Sequence, residues 1–159
     1  MSLSVLAKTA ELAWELLKSY DIDPVPIFQQ ARIDPGSMQD MHTRISQASV
    51  TNLWALVAEK VDDPCFGLRA GKLWHPSYMY ALGYGWLTSS TLRTALNRLQ
   101  RYSHLVNTSI RVSLTDTERG LQIDWSNPAI DDAHYWHADG SMALLITMCR
   151  ANYGSSLDP

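Results

Sequence analysis

The residues that could do chemistry in this chain are few and scattered. His134 and His137 straddle Tyr135 and Trp136, and Asp139 follows. Histidines three apart at a helix start can put two imidazoles on one face, the beginning of a metal site. No third ligand joins them at a suitable spacing, and such histidines are more commonly caps or surface groups. His42, His75 and His104 have no partner in the sequence. Cys149 lies within ALLITMCRAN, an apolar helical run that favours a structural thiol over a nucleophile. There is no CxxC, HExxH, Walker loop or GxGxxG. Enzyme signatures are therefore absent, and no metal or cofactor is called for.

What the chain has instead is aromatic surface: six Trp and seven Tyr against two Phe. Trp and Tyr join an apolar body to a hydrogen-bonding tip, which suits both cores and small-molecule pockets. Tyr78, Tyr80, Tyr84 and Trp86 crowd one Gly-interrupted stretch. Tyr84 and Trp86, with Tyr102 on the next helix, are the expected ligand-binding residues. Core or subunit-interface packing is the competing account of the same cluster.

These residues need elements to hold them. Residues 4–20 show helical spacing of apolar positions, and PIFQQARI gives a short second helix that stops at Asp34-Pro35-Gly36. Residues 37–45 read as surface loop. Ser46 caps a helix with a stripe at Val50, Leu53, Trp54, Val57 and Val61. FGLRAG is a short helix, and HPSYMYALGYGWLTSS reads as one helix with small faces for close packing. Thr91 or a neighbouring Ser caps the longest stripe, from Leu92 to Val106. A last helix runs from about His134 to Tyr153, with Asp131 and Asp132 suited to its start.

Between these helices lies RYSHLVNTSIRVSLTDTERGLQIDW, where helical spacing gives way to alternation. Ile110, Val112 and Leu114, then Leu121, Ile123 and Trp125, predict an antiparallel hairpin over 108–114 and 120–126, packed on the 92–106 helix. The fold class is thus α+β and predominantly helical, with six to seven helices and one small hairpin. A lone hairpin is marginal and its edges are unpaired. With no other convincing strand, the sheet is expected to be incomplete and at least one hairpin edge to lack a partner.

Composition narrows the class. A length of 159 residues fits one domain, and 46% hydrophobic with 18% charged residues fits an ordinary globular chain. The net charge is −3 and the basic residues are spread, the densest group being Arg93, Arg98 and Arg101. That argues against a phosphate-binding face. No secretory signal and no run of about 20 apolar residues is present, so a cytoplasmic protein with two reduced, buried thiols is expected.

Three stretches, in this order and spacing, resemble one class of AraC-type transcriptional regulators: RISQASVTNLWALVAEKVDDPCFGLRAG, ALGYGWLTSSTLRTALNRLQRYSHLVN and the strands VSLTDTERGLQIDW. ARIDPGSM upstream is similar to the same family's entry segment, and the likeness runs from Ala31 to Trp125. The resemblance implies an N-terminal effector-sensing and dimerisation region, often called arabinose-binding, of the helical rather than the cupin type. It implies no catalytic residue and leaves the effector open, because members answer to different small molecules. It implies a homodimer, with DNA contacted only through a C-terminal region outside this chain. On this basis residues 1–159 form a single regulatory domain, cut before its remaining strands. HPSYMY and HADGSMALL depart from the family pattern and fall where a pocket or interface would change. A dimerisation scaffold without ligand, or an enzyme with an unfamiliar site, are the alternatives.

The acidic balance gives a first test. A gel-shift or anisotropy titration of these 159 residues at physiological salt is expected to show no binding tighter than about micromolar, the non-specific range. Sequence-specific nanomolar binding would overturn the charge argument.

Overall fold

Three side-chain caps fix where helices begin. The Asp23 carboxylate accepts the Val25 N–H at 3.0 Å, Ser46 Oγ accepts that of Ser49 at 3.0 Å, and Thr91 Oγ1 that of Thr94 at 3.1 Å. Each satisfies a first-turn amide that the helix itself cannot. The computed structural model describes residues 2–130, 135–155 and 157. Seven α-helices follow among these: α1 (Glu11–Lys18), α2 (Pro24–Gln30), α3 (Gln47–Lys60), α4 (Phe66–Lys72), α5 (Ala81–Leu87), α6 (Leu92–Val106) and α7 (Tyr135–Tyr153). Strands β1 (Ser4–Leu6) and β2 (Arg44–Ser46) pair antiparallel, as do β3 (Arg111–Thr117) and β4 (Gly120–Ser126). The fold is α+β and predominantly helical, as the spacing predicts.

Three local expectations are corrected. Residues 4–20 are not one helix: Ser4–Leu6 is a strand and Ala7–Ala10 a 3₁₀ turn before α1. Tertiary ties override helical propensity there. Ser4 exchanges hydrogen bonds with Thr108, at 2.9 and 3.0 Å, and the Arg44 guanidinium donates to Ser4 Oγ, Ser4 O and Leu105 O. The loop expected over 37–45 contains a 3₁₀ turn, Pro35–Gln39, and ends as β2. The single helix expected across HPSYMYALGYGWLTSS is broken. Pro76–Met79 is a 3₁₀ turn and Tyr80, at φ 47° and ψ −126°, separates it from α5. The close packing expected of the glycines is present at Gly83, where an added Cβ would lie 2.0 Å from Pro76 O.

The hairpin forms with Val112 opposite Trp125 and Leu114 opposite Ile123, so their side chains share a face. Its first strand starts at Arg111 rather than 108, because Asn107 Oδ1 captures the Ser109 N–H at 2.9 Å in a side-chain turn. The face packs against the cluster that holds Leu96 and Leu99 of α6. Among the described residues neither outer edge of the hairpin has a strand partner. The expectation of no other strand is corrected by β1 and β2. The start of the last helix at His134 and its flank Asp131–Asp132 lie outside the described residues.

Two apolar clusters result. One joins α1, α2 and α3 to Phe66 and Ala70 of α4 and Trp136 of α7. The other joins α5, α6 and the hairpin to Leu145, Met148 and Cys149 of α7. α7 serves both, and its seam with α4 is close. An added Cβ on Gly67 would lie 2.5 Å from Trp136 O, and one on Gly71 2.5 Å from Ala143 Cβ and Leu144 N. Glycine is required because only it lets the two backbones approach this far.

Gly67→Ala and Gly71→Ala are each expected to destabilise by about 1–3 kcal/mol, the usual cost of overpacking. Gly85, with nothing within 4 Å of an added Cβ, is the control. Gly85→Ala should be neutral or stabilising by up to ~1 kcal/mol through helix propensity. Urea unfolding midpoints of the three variants measure the contrast.

Candidate ligand-binding cavity

Between the two apolar clusters lies a cavity of about 190 Å³. Elements from both clusters line it, although α2 and α5 supply no side chain to its wall. The N-terminal segment supplies Val5, Thr9, Ala10 and Leu12, and α3 with its N-terminal flank supplies Gln47, Val50 and Trp54. The α4–α7 seam forms one wall through Gly67, Ala70, Gly71, Gly140, Ser141 and Leu144. The glycines that permit the close helix crossing thus also open the space beside it. Trp74, Tyr78 and Met79 close another side, and Asn107, Ile110, Trp125 and Asn127 bring in the hairpin and its approaches.

The wall is overwhelmingly apolar and aromatic. Trp136 stacks on Trp54 with centroids 6.1 Å apart and rings 28° from parallel, and packs at 6.1 Å on Phe66. The Trp74 indole N–H is directed at Met79 Sδ, 3.4 Å away. Burial pushes the Tyr78 phenol up, and the charges of Glu11 and Glu15 add to the rise. Tyr78 therefore stays protonated and able to donate.

A small polar group is set into this wall. Asn107 Oδ1 accepts from Ser109 N at 2.9 Å and Ser109 Oγ at 2.7 Å, and Ser109 Oγ is also 2.9 Å from Gln47 Oε1. A backbone N–H can only donate, so the Asn107 oxygen is fixed toward Ser109 and its NH₂ is left for other partners. Asn127 uses Oδ1 for the Ala129 N–H, at 3.1 Å. Trp125 differs from all of these. Its indole nitrogen is buried and has no hydrogen-bond partner among the described residues. A buried N–H left unsatisfied costs about 1–3 kcal/mol.

The three residues expected to bind ligand lie elsewhere. Trp86 is fully buried in the second cluster, its indole N–H donating to Met148 O at 2.7 Å. It is the peg that joins α5 to α7. Tyr84 is 52% exposed and Tyr102 40% exposed. Tyr102 borders a second hollow, of about 410 Å³, together with Leu6, Tyr80, Arg98 and Leu105. The cavity between the clusters is as open as this hollow, and it differs in being lined by residues of both clusters. Sequence reasoning missed its lining because Trp54, Trp74, Trp125 and Trp136 are spread along the chain. A signal did exist: the two segments that depart from the family pattern both reach it, HPSYMY through Tyr78 and Met79, and HADGSMALL through His137, Gly140, Ser141 and Leu144.

Other candidate chemistry is not assembled. Among the described residues no group of three His, Cys, Asp or Glu comes together, and His134 lies outside them. Both cysteines are free. Cys149 is buried, which pushes its thiol up and keeps it unreactive, as a structural thiol should be. Cys65 is exposed, contrary to the expectation of two buried thiols: it precedes α4, at a chain turn where its N–H donates to Asp63. Among the described residues no helix is long and apolar enough to cross a membrane.

The frame is helical, and its cavity is lined mainly by apolar and aromatic side chains with a few fixed polar groups. Residues 22–159 match the family described as the arabinose-binding domain of AraC transcription regulators, N-terminal, and the chain belongs to that family. Comparison with curated proteins gives no match.

Asn107 carries the polar group, and its loss tests the geometry. Asn107→Ala leaves the buried Ser109 N–H without its acceptor, while the Ser109 hydroxyl keeps Gln47 Oε1, and should cost about 1–3 kcal/mol in urea unfolding. A change within about 0.5 kcal/mol, as at ordinary surface sites, would mean that the turn is not held by this side chain.

Proposed function

We propose that this chain is the effector-sensing region of a transcription regulator and that the effector sits in the cavity between its two apolar clusters. The observation that carries this is the set of elements that meet at the cavity. One small volume is bordered by α3, α4, α7, the N-terminal strand and the hairpin at once, so an occupant touches both clusters. A ligand shifts an equilibrium only by binding one arrangement better than another, and a site shared by two packing units is where such a difference arises. In the full regulator the signal would pass to a DNA-binding region outside these residues, and the chain would act as a homodimer in the cytoplasm. Exposed Tyr84 and Leu87 on α5 with Tyr102 and Leu105 on α6, two helices that pack together, suit self-pairing better than effector contact.

A cavity-filling variant tests the reading against a scaffold that binds nothing. Ser141 lines the cavity from α7, and Ser141→Leu occupies it without removing a hydrogen bond described in this structure. Screened by thermal shift against a metabolite library, the wild-type domain should gain stability with at least one compound. At about 100 times its Kd such a ligand adds roughly 2.7 kcal/mol. The variant should fold and fail to respond to the same compound. A response that survives in Ser141→Leu would place the effector elsewhere, and sedimentation of the same samples reads the self-pairing.

A further inference from the structure

We infer that Asn107 and Asn127 are the polar contacts of the cavity's ligand, and that this ligand is a ring-sized apolar body bearing an acceptor oxygen, carbonyl or carboxylate, for their side-chain NH₂ groups. The inference rests on the cavity being the effector site, as proposed above. It adds the residues that read the effector and the chemistry they select.

The two asparagines are alike. Both line the cavity, and they are only 7% and 8% exposed. Each has its oxygen committed to a backbone N–H two residues on: Asn107 Oδ1 to Ser109 N at 2.9 Å, and Asn127 Oδ1 to Ala129 N at 3.1 Å. A backbone N–H can only donate, so neither amide can flip, and each presents its NH₂ as a fixed donor. Neither NH₂ has an acceptor among the described residues. Neither is sealed off, since among the described residues the one buried side-chain nitrogen or oxygen that lacks both a partner and accessible surface is Trp125 Nε1. An occupant of the cavity can therefore reach both amides. The hydroxyls of Ser141 and Tyr78, in the same lining, can donate or accept, so the two amides set the requirement.

The rest of the wall sets the body. It is mainly apolar, with Trp54 and Trp136 stacked on one another, and it offers contact area to a flat or aliphatic group. The volume is about 190 Å³. An apolar cavity of about 150 Å³ accommodates benzene, so one substituted ring fits. A ligand whose polar end only donates would meet two NH₂ groups without pairing with either. Neutral amide donors serve a ketone and a carboxylate alike, and His137 in the lining belongs to a residue type that can be neutral or charged. The charge of the acceptor is thus read by the probes.

Four probes of similar shape decide it: acetophenone and benzoate (acceptors, neutral and charged), ethylbenzene (no polar group) and 1-phenylethylamine (a donor only, as its ammonium). Each is titrated at neutral pH into the isotope-labelled wild-type domain. Two sets of NMR signals are followed: the backbone amides of Gly71, Gly140 and Ser141, which line the cavity, and the side-chain NH₂ groups of Asn107 and Asn127, assigned through their own Cβ. The better of acetophenone and benzoate should bind about tenfold more tightly than ethylbenzene, the gain of one hydrogen bond, and should move an Asn107 or Asn127 NH₂ signal. 1-Phenylethylamine should bind more weakly than that acceptor. Aspartate keeps the oxygen that each turn needs and puts an acceptor where the NH₂ stood. Asn107→Asp or Asn127→Asp, at the asparagine whose signal moves, should therefore abolish the preference for an acceptor. Should neither variant fold, the wild-type ranking and the NH₂ shifts decide. Ethylbenzene or 1-phenylethylamine binding as tightly as the better acceptor, with the Gly71, Gly140 or Ser141 signals moving, would overturn the ligand class while leaving the cavity as the site. So would a preference unchanged in both aspartate variants. Failure of all four probes to move those backbone signals would overturn the cavity reading, and this inference with it.

Discussion

The close crossing of α4 and α7 is the constraint on which the rest depends. Two glycines four residues apart, Gly67 and Gly71, put one face of α4 against the backbone of α7, and Gly140 answers from the other side. Helices normally pack 8–10 Å apart with side chains between them, and losing those side chains brings the axes in. α7 then reaches both apolar clusters from a single line, delivering Trp136 to one and Leu145, Met148 and Cys149 to the other. Were the crossing wider, Trp136 could not stack on Trp54 and pack on Phe66 together. The small residues on this seam also leave unfilled space at its edge, so the same feature that unites the domain produces the cavity.

A second constraint closes the space from the opposite end. Asn107 ends α6, turns the chain through its side chain, and bridges to Val5 of β1. Arg44 of β2 clamps Ser4 and the last carbonyls of α6 with its guanidinium. The N-terminal strand is thereby held by Arg44 and by Thr108, the latter more than a hundred positions from its partner Ser4. Trp125, opposite Val112 in the hairpin, rides on this junction.

How the two halves relate bears on regulation. The first cluster is built from helices near the N-terminus and the second from α5, α6 and the hairpin; α7, the N-terminal segment and the Gln47–Ser109 hydrogen bond are among the links between them. Tyr80, with its positive φ, sits where the wall segment Tyr78–Met79 meets α5. Backbone in such a region costs of order 1–3 kcal/mol and persists only where surrounding contacts impose it. Here the contact is the Pro76 carbonyl lying on Gly83. The cavity is thus bordered on one side by tightly determined helix packing and on another by a strained connection.

Sequence by itself determined much of the architecture. The stripes of α3 and α6, the caps at Ser46 and Thr91, and the alternation of β3 and β4 are local patterns, and local patterns survive without knowledge of distant partners. The family was legible for the same reason, since its words are runs of helix and strand in fixed order. What only the tertiary structure decided is everything that depends on pairing across the chain. Residues 4–6 have helical spacing yet form a strand, because Thr108 and Arg44 offer hydrogen bonds that the isolated segment does not know of. Tyr84, Trp86 and Tyr102 share the composition of pocket residues, but only the packed structure gave Trp86 a backbone partner, left Tyr84 facing outward and set Tyr102 beside the second hollow. The four tryptophans of the cavity come from four separate stretches of the chain, and no spacing rule connects them. A cavity is defined by what several elements fail to fill, and that quantity exists only once they have packed.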